Sequence, residues 1–262
     1  MREIVSAVLA QHRDALTVIG GQAVLLQTHD RFGLNLETQD SDFAVNPALI
    51  ADRPRLEDLL VEAGFVPRNP SRPGLWGRMP VEVLVPGGGT RIDYLEKVDL
   101  DVAFAFTENT NPKRRSVAKM KGHGKTATSS ATGLELATLD RDLLPVPGIG
   151  PEQPIVEAWV ASKTALLVAK SYKVGERLQI GRAFDDKDLA DIFLLLDSEE
   201  PSRAAEVLKR FAADPMIGSS VEQGRAYIQK VLADPTARSA MQRVTRGYVP
   251  QRELEAVLSR WV

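Results

Sequence analysis

The chain has no cysteine, which excludes disulfides, thiolate nucleophiles and cysteine-ligated metal centres. Histidine is almost as scarce: His12, His29 and His123 are the only three, and none stands at a metal-ligand spacing from another, so a zinc site is not expected. Aromatic residues make up only 6% of the 262 residues. No apolar run approaches the ~20 residues that span a bilayer, and no signal pattern stands at the first residues, so a cytoplasmic location without membrane attachment is expected. Internal repeats and low-complexity tracts are also missing. What remains is 44% hydrophobic and 26% charged with a net charge of -2, the composition of a globular chain able to bury one substantial core or two smaller ones.

The pattern becomes specific at a glycine pair. Ala15-Leu16-Thr17-Val18-Ile19 is apolar and rich in β-branched residues, ends in Gly20 and Gly21, and runs into Gln22-Ala23-Val24-Leu25-Leu26, which holds no helix breaker. This predicts a strand, a tight turn and a helix. Glycines there can take positive φ and let N–H groups at the helix start approach phosphate oxygens, where the helix dipole also favours negative charge.

Asp40 stands nineteen residues after Gly21, in Thr38-Gln39-Asp40-Ser41-Asp42-Phe43-Ala44-Val45, where two carboxylates lie at i and i+2 at the start of an apolar strand. That spacing puts both on one face. Carboxylates held side by side repel, and a divalent cation, with magnesium the expected ion, offsets the repulsion. Alone, the pair would read as turn residues ahead of a strand; the upstream glycines favour the metal. Glu82 is a third candidate, a lone charge in the apolar run Val81-Glu82-Val83-Leu84-Val85, where a buried carboxylate needs a partner or a metal. The alternative for Glu82 is an edge strand with its carboxylate in water.

Further along, Lys163, Lys170, Lys173 and Arg177 recur at helical spacing around the apolar Ala165-Leu166-Leu167-Val168-Ala169 and form a basic stripe suited to β and γ phosphates. Asp185, Asp186, Asp188 and Asp191 gather at the start of the next helix. The first two read as caps, whereas Asp188 and Asp191 share a face.

These segments together resemble the polymerase-β-like nucleotidyltransferases, and within them the AbiEii-type toxin branch. The resemblance rests on Ile19-Gly20-Gly21-Gln22-Ala23, on residues 38–45, on residues 81–86, and on the Lys/Arg helix followed by Lys187-Asp188-Leu189-Ala190-Asp191. Leu36 stands where that branch often has arginine, and Glu82 where aspartate is more usual. The resemblance implies an α/β (α+β) fold, with a nucleotidyltransferase core of mixed sheet and helices followed by a C-terminal helical domain. It implies that Asp40, Asp42 and Glu82 hold two magnesium ions, that Gly20, Gly21, Lys170, Lys173, Arg177 and Asp188 bind the nucleotide, and that Lys170 is catalytic. The implied activity is transfer of a nucleoside monophosphate from an NTP to an acceptor hydroxyl, with the 3′ end of tRNA as acceptor and an antitoxin protein as restraint. An antibiotic- or protein-modifying transferase, and a non-catalytic nucleotide-binding module, are the alternatives.

Two other features bear on function. Gly122-His123-Gly124-Lys125-Thr126 ends like a phosphate-binding loop, but Lys119 replaces the required earlier glycine and no strand precedes it. Lys113, Arg114, Arg115, Lys119, Lys121 and Lys125 form a basic run with no acid in residues 109–134, either a patch that steers a polyanion or an ordinary solvated loop.

The chain organises around these segments. Residues 1 to about 106 alternate strands and helices, including a helix over 56–64 and a strand over 98–104. Residues 145–154 hold four prolines and two glycines and mark an expected boundary, giving a core domain over 1–150 and a helical domain over 151–262. Helices are expected over 156–173, 188–196, 203–211, 221–232 and 252–261.

Overall fold

The computed structural model describes residues 10–28, 31–34, 40–69, 73–78, 81–85, 89–93, 98–104, 122–146 and 156–261. The strands are β1 Leu16–Ile19, β2 Asp40–Val45, β3 Val66–Pro67, β4 Leu75–Arg78, β5 Val81–Val85, β6 Gly89–Asp93, β7 Val98–Phe104, β8 Ser129–Ser130, β9 Arg141–Val146 and β10 Val156–Ala161. The helices are α1 Gly20–Gln27, α2 Leu56–Glu62, α3 Lys163–Gln179, α4 Asp186–Ser198, α5 Pro201–Ala212, α6 Gly218–Ala233, α7 Pro235–Thr245 and α8 Gln251–Ser259.

Eight strands form one mixed sheet in the order β3-β4-β7-β2-β1-β10-β9, with β8 added beside β7. The β1–β10, β2–β7 and β7–β8 pairs are parallel and the rest antiparallel. β5 and β6 pair with each other as a separate two-stranded ribbon. The expected α/β architecture with helices following the sheet is present.

Alternation along the strands gives the sheet two unlike faces. One face carries Leu16, Val18, Phe43, Val45, Leu100, Val102, Ala158 and Val160, all buried in a core to which α1 adds Ala23 and Val24, and α2 adds Leu56 and Leu60. The same core continues through α3 and α4 to Leu254, Val257 and Leu258 of α8. The other face carries Ile19, Ala44 and Ala103, which pack against Ala131, Leu134 and Ala169 of α3. Small residues there let the 131–140 segment and α3 approach the sheet closely.

Local chemistry sets the element boundaries. Ser162 caps α3 by accepting from the Ala165 N–H at 3.1 Å, Asp185 caps α4 through Lys187 N–H at 3.2 Å, and Asp234 caps α7 ahead of Pro235. The helix expected over 156–173 is in fact a strand followed by a helix. Val156–Ala161 lies beside β1 near the middle of the sheet, because Val-Glu-Ala-Trp-Val-Ala alternates and is rich in β-formers, and the helix begins only after the Ser162 cap. The sheet therefore draws one of its inner strands from beyond residue 150. Residues 147–154 of the expected boundary lie outside the described residues.

Candidate active site

The glycine turn meets the acidic strand at one point. Ile19, the last residue of β1, pairs with Asp42. Gly20 follows with φ +70°, and a Cβ at that position would fall 1.8 Å from Asp42 Oδ2. Glycine is thus required twice over, by the left-handed backbone and by the approach of the carboxylate. α1 starts at Gly20, and its cap residue Ile19 supplies no side-chain acceptor for the first-turn N–H groups.

β2 runs parallel to β7 in a register that sets Asp40 beside Asp99 and Asp42 beside Asp101. Four aspartates thereby occupy two adjacent strands at alternate positions, which places them on one face, with neighbours across the strands about 5 Å apart. It is the face of Ile19 and Ala44, away from the main core. Oxygen-only donors gathered on one face suit magnesium. Among the described residues no three Asp, Glu or His side chains converge on a metal position. The side chains of Asp40, Glu82 and Asp99 lie outside that set, so the row stands on backbone register together with Asp42 and Asp101.

Glu82 is not on a strand next to the acidic pair. It sits in the β5–β6 ribbon opposite Ile92, whereas the neighbours of β2 are β1 and β7. β5 is therefore not the strand beside the acidic pair, and the Glu82 side chain lies outside the described residues. The adjacent strand is β7, and it carries Asp99 and Asp101. The physical reason is that Val81–Val85 pairs locally with the strand that follows it, which removes it from the sheet.

On the same face α3 brings Ala169 against the sheet, and Lys170 follows directly. Its ammonium lies 2.6 Å from Asp191 Oδ2 and 3.1 Å from Asp188 Oδ1. Lys173 Nζ reaches Asp188 Oδ2 at 2.8 Å, and Arg177 Nη1 reaches the same atom at 3.8 Å. Burial works against the Lys170 charge, but Asp191 and Asp188 outweigh it and hold the ammonium above the ordinary lysine range. Burial likewise opposes the Asp188 charge, and Lys170 and Lys173 outweigh it, holding the carboxyl below the usual carboxylate range. The lysines differ in access: the Lys170 side chain is 11% exposed and that of Lys173 51%. Lys170 thus fastens α3 to α4, while Lys173 and Arg177 present charge toward solvent.

The expected caps at the start of α4 are met by Asp185, while Asp186 pairs with Arg243 of α7 at 2.6 Å. Lys163 of the basic stripe turns away from this network and donates to the Ser198 carbonyl at 2.8 Å.

The 122–127 loop serves as a clasp on α2. His123 Nδ1 accepts from Leu56 N–H at 3.4 Å, the His123 carbonyl accepts from Glu57 N–H at 3.1 Å, and the Glu57 carboxylate accepts from Lys125 N–H at 3.1 Å and from the Thr126 hydroxyl. His12 and His123, far apart in sequence, meet there edge to face with ring centroids 5.7 Å apart. Thr38 and the basic residues 113–121 lie outside the described residues. Sequence reasoning also passed over Arg141 and Trp159, which stack on the sheet face of the aspartates. Their signal was a basic residue and an aromatic at alternate positions on paired strands.

No family model matches the sequence, and no curated protein matches it significantly.

Proposed function

We propose that the aspartate row of β2 and β7 is the centre of a nucleotidyltransferase that moves a nucleoside monophosphate from an NTP to an acceptor hydroxyl. The observation that carries this reading is the register of Asp42 with Asp101 on one side and with Ile19 on the other, directly before the Gly20 turn. Like charges side by side repel, and a divalent cation offsets that repulsion.

In the reaction the acceptor oxygen forms a bond to the α-phosphorus, the bond from that phosphorus to the α–β bridging oxygen breaks, and the electron pair leaves on pyrophosphate. Two magnesium ions, when bound, lower the pKa of the attacking hydroxyl and neutralise charge on the leaving group. Asp42 and Asp40 hold the cations from β2, and Asp101 completes the set from β7 in the role the sequence assigned to Glu82. Asp101 also takes the hydroxyl proton. The first-turn N–H groups at Gly20 and Gly21 receive the triphosphate, and Lys173 and Arg177 compensate its outer charge. Lys170 acts through Asp188 by holding that helix pair in place.

RNA, by its 3′ end, is the acceptor class that the resemblance to the AbiEii-type branch favours, with an antitoxin as the restraining partner. The test is incubation of the protein with each α-labelled NTP, magnesium and total tRNA, with products resolved on a gel beside Asp42→Ala. Label entering RNA only with the parent protein supports the reading. Absence of label with every NTP removes RNA as the acceptor, and label that persists with Asp42→Ala removes the aspartate row.

A further inference from the structure

α2 begins without a capping side chain of its own. Arg55 stands at its boundary, and the first N–H groups of the helix are taken up from outside it by His123. The ring Nδ1 accepts from Leu56 N–H at 3.4 Å, and the His123 carbonyl accepts from Glu57 N–H at 3.1 Å. The next residue is Gly124, with φ +111°, where a Cβ would fall 1.7 Å from Glu57 Oε2, so the loop can lie this close to α2 only with glycine there. His123 and His12 are each 2% exposed, and their rings meet edge to face.

The partners fix the protonation of both rings. A backbone N–H only donates, so His123 Nδ1 is the bare nitrogen and the ring proton is on Nε2. A carbonyl only accepts, so His12 carries its proton on Nε2, which donates to the Pro54 carbonyl at 2.8 Å. His12 Nδ1 is then bare as well, buried and without a hydrogen-bond partner among the described residues. The clasp thus holds two neutral imidazoles. A second proton on His123 has to go to Nδ1, where it meets the Leu56 N–H and ends that bond.

The charges around the rings give the protonated form little help. Asp52 favours it but is exposed, whereas His12 and Arg55 oppose it. The Glu57 carboxylate is already engaged by the N–H of exposed Lys125, by the Thr126 hydroxyl and by Arg55 at 3.2 Å. Asp58 pairs with Arg55 at 3.6 Å. Beside His12, Arg13 pairs with Glu157 at 3.8 Å and Asp14 accepts from Trp159 Nε1 at 3.2 Å. Burial first, and then His12, hold His123 below its ordinary 6.5.

The same loop is tied to the acidic strands. The Thr126 carbonyl accepts from Gly74 N–H at 2.9 Å, and the Gly74 carbonyl accepts from Val102 N–H at 2.9 Å, one residue beyond Asp101. The Ala127 carbonyl accepts from Nε1 of the buried Trp76 at 3.1 Å. Residues 122–127 therefore join α2 to β4 and β7.

We propose that His12 and His123 make the 122–127 loop an acid-released latch, closed on α2 while both rings are neutral and open in mild acid, which loosens β7 beside Asp101 while the rest of the fold stands. A solvated imidazole takes its proton near 6.5, so the released loop binds the proton more tightly than the clasped one. The latch is at full strength above about 6.5 and weakens as pH falls from there toward the lower folded value. None of its groups belongs to the proposed nucleotide site.

The test is hydrogen exchange of the full chain, read as protection factors corrected for the intrinsic rate at about pH 7.5 and about pH 5.5, either side of the histidine range. In the parent, protection of the Leu56, Glu57, Gly74, Val102 and Lys125 amides is expected to fall in acid by up to about tenfold for one histidine, while the Phe193 and Leu194 amides of α4 hold. His12→Gln keeps a side-chain donor for the Pro54 carbonyl and His123→Asn keeps an acceptor for Leu56 N–H, with nothing to titrate. The double variant should therefore keep its protection at both pH values. In nuclear magnetic resonance of the parent, the His123 ring and the Leu56 amide should titrate together. Unchanged protection in the parent overturns the proposal, as does an equal fall in the double variant or separate titration of ring and amide. An equal fall at Phe193 and Leu194 also overturns it, because acid would then be unfolding the whole chain. Loss at Leu56 with Val102 unchanged overturns the link to β7.

Discussion

The two faces of the central sheet are made from the same strands and do opposite work. Along β2, Phe43 and Val45 are buried in the main core, while Asp40, Asp42 and Ala44 alternate with them on the other side. β7 repeats the pattern, with Leu100 and Val102 in the main core and Asp101 and Ala103 at the alternate positions. One face holds the fold together by removing apolar surface from water, and the other spends some of that stability on setting carboxylates side by side. The contrast teaches that within one strand a position's parity separates residues of the main core from the aspartates that we propose act on the nucleotide.

The sharpest way to break that contrast is to exchange effects between adjacent residues. Asp42→Asn is expected to lower nucleotidyl transfer at least about a thousandfold, several kcal/mol of transition-state stabilisation, while thermal stability holds or rises because a like-charge contact is relieved. A fall in melting temperature with activity retained would reverse the roles of the two faces. Its neighbour Phe43, 1% exposed, should do the opposite. Phe43→Ala is expected to cost about 3–5 kcal/mol of stability, read by denaturant titration, with the residual folded fraction still active.

A similar contrast exists within α3. Lys170→Met strands Asp191 without its closest cation and is expected to destabilise by about 3 kcal/mol, the low end for a broken buried pair because Asp188 keeps Lys173. Lys173→Met should change stability by less than about 1 kcal/mol, since the pair is half exposed, yet raise KM for NTP. Equal losses of stability in both variants would contradict the division of roles. The smallest effect expected is on pH dependence. Asp188 has a folded value below its ordinary 3.8, so its contribution is fully present above 3.8 and is lost as pH falls through the folded value. The stability gap between the parent and Asp188→Asn should therefore be largest near neutrality and close as pH falls through the folded value. A gap that stays constant across that range would show that the carboxylate is not held by its cations.

Much of the fold was legible because its signals are local. The glycine turn, the Asp40–Asp42 strand, the capping role of Asp185 and the helices of the second half all follow from periodicity and neighbouring residues. The proposed third carboxylate was not legible, because Asp101 reaches Asp42 only through the parallel pairing of strands, 59 residues away in sequence. Glu82 drew the assignment as a charge in an apolar run, whereas Asp99 and Asp101 read as the polar half of an ordinary alternating strand. Val156–Ala161 was hidden by the helix directly behind it. α7 was passed over because its apolar face is mostly alanine, although Asp234 and Pro235 marked its start. Arg141 and Trp159 gave no signal as single residues, since their meaning comes from β9 pairing with β10.

The most direct test of the account is pyrophosphate release from NTP with magnesium and total tRNA by four proteins, the parent, Asp42→Asn, Asp101→Asn and Glu82→Gln. The account predicts release by the parent and by Glu82→Gln, and none by either aspartate variant. No release by the parent with any NTP, or loss of release in Glu82→Gln with release retained in Asp101→Asn, would contradict it.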